Sequence, residues 1–217
     1  MPVRKANTDE ALKQAVLDAV LTHAATEGFT DTLLADAGNE AGVSTAETAR
    51  LFPQAVLSLL EFYSLGVDAE TEKRLGDIGL AAMPMRRRIS TAVKTRLAIL
   101  KPNKDAARRA AAYLSLPPNL PLAAHLIYCT VDCMWRAAGD LSTDFNFYTK
   151  RGILAGVYTS TLMRWFTDTS PDEHETEAFL AARIENVMQV EKLKARMRRE
   201  AKQGLDRMSE LLRSARR

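Results

Sequence analysis

Three histidines and two cysteines are the side chains of this 217-residue sequence best suited to metal or nucleophilic chemistry. His125, Cys129 and Cys133 recur at i, i+4 and i+8, which places them along one helix face. Stacked that way they could touch a single metal ion only awkwardly, and the same spacing suits an ordinary buried face. None of His23, His125 and His174 has a Glu three residues before it, so the Glu-x-x-His pair of a helical di-iron site is missing. No Gly-rich phosphate loop, no G-x-S-x-G elbow and no Cys-x-x-Cys occurs. The expectation is a non-enzyme with no catalytic residues, no metal and no cofactor. Cys129 and Cys133 lie one helical turn apart, poor geometry for a disulfide, and read as reduced cytosolic thiols.

The residues that could position chemistry are instead apolar. Hydrophobic residues make up 47% of the chain, with only 10 Gly and 8 Pro. Alternating β-branched runs are missing, so the expected fold class is all-α. No apolar run reaches the roughly 18 residues of a membrane span. The start, MPVRKANTDE, lacks the apolar core of a secretory signal and is too short and acidic for a transit peptide. These features lead to the expectation of a cytoplasmic, bacterial protein. The net charge of +3 is unevenly spread. Residues 7–52 carry eight acids against two bases, whereas residues 191–217 carry ten bases against four acids.

Helical spacing predicts a first helix from Asn7, where Asn7 and Glu10 fit a capping box, to Gly28 as an αL cap. Short helices follow over Asp31–Ala41 and Ser44–Leu51, with Ser44 as N-cap, and Phe52-Pro53 closes the unit. Longer helices are expected near 54–76, 84–100, 104–116, 121–139, 144–167 and 171–212, the last starting at an N-cap Ser170. Three regions result: residues 1–53, residues 54–190 and a basic amphipathic helix over 191–217.

The stretch LDAVLTHAATEGFTDTLLADAGNEAGVSTAETARLFP (17–53) resembles the helix-turn-helix unit of TetR-type regulators, which implies a TetR-like helical bundle. Duplex binding needs Lys and Arg to neutralise phosphates. The candidate recognition helix, STAETAR, offers only Arg50 and includes Glu47, so DNA binding is not expected. A TetR-type transcriptional regulator with a hydrophobic ligand pocket is the alternative reading.

The segments RAAAYLSLP (109–117), WRAAGDLSTDFNFYTKRGILAGVY (135–158) and ENVM (185–188) resemble the ubiquinone-biosynthesis accessory family called coenzyme Q protein nine. That resemblance implies a non-catalytic, dimeric protein that binds isoprenoid quinone precursors between its later helices. It further implies docking on a di-iron demethoxyubiquinone hydroxylase and membrane contact through a final amphipathic helix. Eukaryotic members would sit in the mitochondrial matrix or on its inner membrane. By the same resemblance Met134, Asp144, Phe147, Tyr148 and Arg151 would meet the hydroxylase. Phe147 is Trp in some relatives, so an indole N–H is lost while the apolar anchor stays.

The residues themselves leave two readings open. Phe147, Arg151, Leu154, Tyr158, Leu162 and Trp165 recur at helical spacing, giving an apolar face with an aromatic, charged beginning. That beginning suits a docking hot spot, or Phe145 and Phe147 plug the bundle end under an Asp144 cap. Gly152, Gly156 and Ser160 form a small-residue stripe for a close helix pair, in the core or between two copies. Leu126, Ile127, Val131, Met134 and Trp135, with Tyr128 beside them, could line a lipid cavity together with Leu154, Tyr158 and Leu162, or fill an ordinary core. In the tail, Leu193, Met197, Leu205, Met208 and Leu212 form a thin apolar stripe among bases such as Arg198. Such a helix suits a membrane surface or packing against its own bundle.

Overall fold

The computed structural model describes residues 2–140, 145–187 and 189. Asp144 and the tail residues Leu193, Met197, Arg198, Leu205, Met208 and Leu212 lie outside the described residues. The described chain is helical, without strands: α1 Pro2–Glu27, α2 Asp31–Glu40, α3 Thr45–Leu51, α4 Val56–Ile78, α5 Met85–Leu100, α6 Lys104–Leu114, α7 Leu120–Ala137 and α8 Phe145–Thr167. Residues 174–187 are helical as well.

Local chemistry accounts for most boundaries. Gly28 takes φ +76° and its N–H reaches the Ala24 carbonyl at 3.0 Å, so α1 ends where a left-handed residue is tolerated. The Thr30 hydroxyl accepts the Leu33 N–H at 3.0 Å to start α2, and the Ser44 hydroxyl accepts the Glu47 N–H at 3.3 Å to start α3. Two expected starts are corrected. α1 runs unbroken from Pro2, so Asn7 lies inside the helix rather than capping it. Pro is well tolerated in a first turn, and Arg, Lys and Ala after it favour helix. After Ser170, a 3₁₀ turn over Pro171–Glu173 intervenes, with Asp172 at φ 52° and Glu173 at φ 59°. The helix over 174–187 is capped by Ser170 and Asp168 together: the Ser170 hydroxyl accepts the Glu175 N–H at 3.2 Å, and the Asp168 carboxylate accepts the Ser170 N–H at 2.8 Å, the Ser170 hydroxyl at 2.6 Å and the Thr176 N–H at 2.7 Å.

Two apolar clusters hold these helices. The first joins Val16 and Val20 of α1, Leu33 and Leu34 of α2 and Leu51 of α3 to Leu59 and Leu60 of α4 and Ala106 and Ala110 of α6. Packing therefore continues across residue 53. The second gathers Val67 and Leu75 of α4, Val93 and Leu97 of α5, Val131 and Met134 of α7, and Leu154 and Trp165 of α8. α4 packs on α5 and α7, α8 on α7 and α6, and α1 on α2 and α6.

The helix-turn-helix corner depends on one small residue. A Cβ placed on Gly38 would stand 2.4 Å from the Thr48 hydroxyl oxygen, and Thr48 is buried. Gly38→Ala should therefore destabilise the protein by about 1–3 kcal/mol, as overpacked cores do; urea unfolding measures this, and an unchanged midpoint would contradict the close packing of α2 on α3. Hydrogen bonds from the Ser170 and then the Thr176 side chains hold the Asp168 carboxyl well below the usual carboxylate range. A depressed folded value makes the stabilisation complete above the unfolded value of about 4 and progressively lost as pH falls below it. Asp168→Asn should lower Tm at neutral pH by roughly 2–4 °C, and thermal melts at stepped pH should show that gap shrinking below about pH 4.

Candidate functional site

α8 begins with the aromatic, charged stretch, and its geometry separates an anchored layer from an open one. Arg151 is 4% exposed. Its Nε donates to Asp132 at 2.7 Å, and its Nη1 reaches Asp140 at 3.4 Å and the Phe147 carbonyl at 3.2 Å. The guanidinium lies 3.3 Å from the Phe147 ring centroid. Lys150 binds Asp140 at 2.7 Å, and the Trp135 indole N–H donates to the Lys150 carbonyl at 3.1 Å. This network ties the first turns of α8 to the end of α7. Phe147 meets Tyr148 edge-on with centroids 5.1 Å apart, and Tyr148 is 70% exposed. Met134 is fully buried on α7, beneath the patch rather than on it.

The expected cavity residues divide between two spaces. A cavity of about 300 Å³ opens among α4, α5, α6, α7 and α8, and Leu126, Ile127, Tyr158 and Leu162 line it. Small residues on α6 and α7 make the room: Ala107, Ala110, Ala111 and Ala123 stand where larger side chains would close it. A second apolar pocket of about 290 Å³ takes Trp135 and Leu154, with Met85, Ile89, Val157 and Ile184. Val131 and Met134 line neither and sit in the second core cluster. Tyr128 points away and is 45% exposed.

One part of the first cavity was not read from the sequence. Arg96, 4% exposed, donates from Nε to the Tyr158 hydroxyl at 2.8 Å, from Nη1 to Asp68 and from Nη2 to Ser64 at 3.2 Å. Thr130 donates to the other Asp68 oxygen at 3.2 Å. Burial works against the Arg96 charge, but the Tyr158 phenol and the Asp68 carboxylate outweigh it and hold the guanidinium charged. The signal was present: Ile89, Val93, Arg96, Leu97 and Leu100 share one face of α5, so a cation interrupts an otherwise apolar stripe.

Of the two thiols, Cys133 is buried and Cys129 stands 3.6 Å from His125 Nε2. Burial pushes Cys133 up to about 11 and also raises Cys129. No group of three His, Cys, Asp or Glu side chains that could hold a metal comes together among the described residues. Gly152 and Gly156 are exposed, with open space where a Cβ would stand, and Met163 one turn beyond Ser160 is 51% exposed. On α3, Arg50 is clasped by Asp9 at 2.9 and 2.8 Å and by Glu47 at 3.2 Å. Its positive charge is thus directed into the protein's own acids.

Residues 120–191 match the COQ9 family model. Over 187 residues the chain is 35% identical to the mitochondrial ubiquinone biosynthesis protein COQ9 of Bos taurus, covering 83% of this chain and 59% of that protein. The Homo sapiens COQ9 protein is 33% identical with the same coverage of 83% and 59%. The chain thus spans 59% of the length of these two mitochondrial relatives. No helix among the described residues is long and apolar enough to cross a membrane. The crystal structure of a TetR transcriptional regulator from Nitrosomonas europaea superposes with a TM-score of 0.66 at 18% identity, covering 80% of this chain and 96% of that one. At that identity the likeness concerns the fold, which is all-α and TetR-like. The chain is therefore similar to the COQ9 proteins of ubiquinone biosynthesis over most of its length, and its residues 120–191 match the COQ9 family model.

Proposed function

We propose that this chain is a non-catalytic accessory protein of ubiquinone biosynthesis that binds an isoprenoid quinone precursor and presents it to a di-iron demethoxyubiquinone hydroxylase. The observation that carries this reading is the cavity of about 300 Å³ walled by Leu126, Ile127, Tyr158 and Leu162, in a chain related to COQ9 proteins. Each CH₂-sized group buried there gains about 0.8 kcal/mol. The volume lies at the lower end of the roughly 300–1,000 Å³ of ligand pockets, so part of a long prenyl tail is held and the remainder stays outside. The exposed Tyr148, braced from below by Phe147 and Arg151, supplies the hydroxylase contact. Asp144 and the tail residues Leu193, Met197, Arg198, Leu205, Met208 and Leu212 belong to the same proposal, as partner and membrane contacts respectively. Each tail base near an anionic leaflet adds about 1 kcal/mol. The open Gly152, Gly156 and Ser160 face of α8 suits close approach of a second copy. The regulator reading finds no support at α3, where Arg50 is already engaged by Asp9 and Glu47.

Native mass spectrometry of the purified protein should show a bound prenyl lipid. Ala111→Phe, which fills the cavity from α6, should lower occupancy about tenfold or more, since one obstructed C5 unit removes several buried groups. Wild-type protein that emerges lipid-free and refuses added prenyl lipid would sink the reading. In a pull-down with the di-iron hydroxylase, Tyr148→Ala should weaken capture roughly 30-fold, the scale of an aromatic hot spot. Undiminished capture would move the docking surface elsewhere.

A further inference from the structure

The Arg96 cluster is more than packing requires. A buried ion pair adds little net stability over apolar side chains of the same volume, yet four helices contribute to this one. Ser64 and Asp68 come from α4, Arg96 from α5, Thr130 from α7 and Tyr158 from α8. The cluster also forms part of the cavity wall: Ser64, Arg96, Thr130 and Tyr158 line it, and Tyr63 lies among them.

The balance of donors and acceptors in that wall is one-sided. Asp68 receives Arg96 on one oxygen and Thr130 on the other. Tyr158, 4% exposed, accepts from Arg96, and its own O–H proton has no acceptor among the described residues. Tyr63, half-buried, lines the same end, and its hydroxyl makes no hydrogen bond among the described residues. Burial pushes the Tyr63 phenol up to about 12, so it keeps its proton. Two phenol protons thus face one end of an otherwise greasy space; Tyr158 is buried, so its proton is costly to leave without an acceptor, whereas the half-buried Tyr63 hydroxyl is open to solvent. An anion is not the complement, because Asp68 already balances the Arg96 charge. The complement is a neutral acceptor oxygen on an apolar body.

We infer that this end of the cavity reads a carbonyl or ether oxygen through the Tyr158 hydroxyl, which Arg96 holds in place, so that the cavity selects oxygenated prenyl amphiphiles over plain hydrocarbons. The inference rests on the lipid reading above and adds the ligand's polar chemistry and its orientation, oxygen toward Arg96. A ligand lacking that oxygen displaces water from the phenol without replacing its hydrogen bond.

Two probes test it on the full chain: a prenyl ketone, and the hydrocarbon of the same skeleton with the carbonyl replaced by CH₂. Displacement of a fluorescent lipid reports both affinities. Wild type should prefer the ketone about fivefold, the factor expected for one neutral hydrogen bond. Tyr158→Phe should abolish the preference, with ketone affinity falling toward that of the hydrocarbon. That variant also strips Arg96 of an acceptor; should it fail to fold, Tyr63→Phe carries the test. The Tyr63 hydroxyl makes no hydrogen bond among the described residues, so its removal should narrow the preference with the fold intact. Equal wild-type affinity for the two probes, or a preference that survives the substitutions, overturns this inference alone. Failure of wild type to bind either probe overturns the lipid reading and this inference together.

Discussion

A guanidinium taken out of water loses hydration worth several kcal/mol, and it is tolerated only where charge and hydrogen bonds replace that hydration. Arg96 satisfies this demand with groups from three other helices. Asp68 and Ser64 hold it to α4, Tyr158 to α8, and Thr130 of α7 secures Asp68 from behind. Burial pushes the Asp68 carboxyl up, against the pull of Arg96. A polar crossbrace of this kind fixes the mutual placement of helices whose remaining contacts are apolar and direction-free. The helices can then stand apart around empty space without collapsing into it.

The space itself follows from side-chain size. α6 and α7 turn Ala107, Ala110, Ala111 and Ala123 toward the cavity where Leu or Phe would fill it. Alanine favours the helix and leaves the volume, so helix propensity and cavity formation are compatible here. At the beginning of α8 the order is reversed. Large groups fill the gap to α7, and the Arg151 network with Asp132 and Asp140 leaves Tyr148 as the outward side chain.

The parts of this fold legible in the sequence are those written in local chemistry. Gly28, Ser44 and Phe52-Pro53 marked helix ends because each acts on backbone within a few residues of itself. The apolar stripe of α8 was legible from its period, and the cavity residues Tyr158 and Leu162 followed from it, while Leu126 and Ile127 came from α7. Non-local choices were hidden. Asp168 caps a helix across a turn in which two residues take positive φ, and no spacing rule singles it out over the better-known Ser170. Val131 and Met134 share a stripe with Leu126, yet only the relative placement of α4 and α8 decides which of them meets a cavity. Arg96 interrupts an apolar face of α5, which spacing alone does not interpret. A charge in such a place marks a partner arriving from elsewhere in the chain, here Asp68.

α6 belongs to both halves of the molecule. Its Ala106 and Ala110 lie in the core that seats the first three helices, while Ala107, Ala110 and Ala111 face the cavity. One helix thus forms part of both the cavity wall and the floor of the N-terminal unit. By thermodynamic reciprocity, a protein gripping α1–α3 that prefers one setting of α6 alters the cavity's hold on its contents by the same factor. The helix-turn-helix unit, whose Arg50 is clasped by Asp9 and Glu47, thus shares a helix with the cavity.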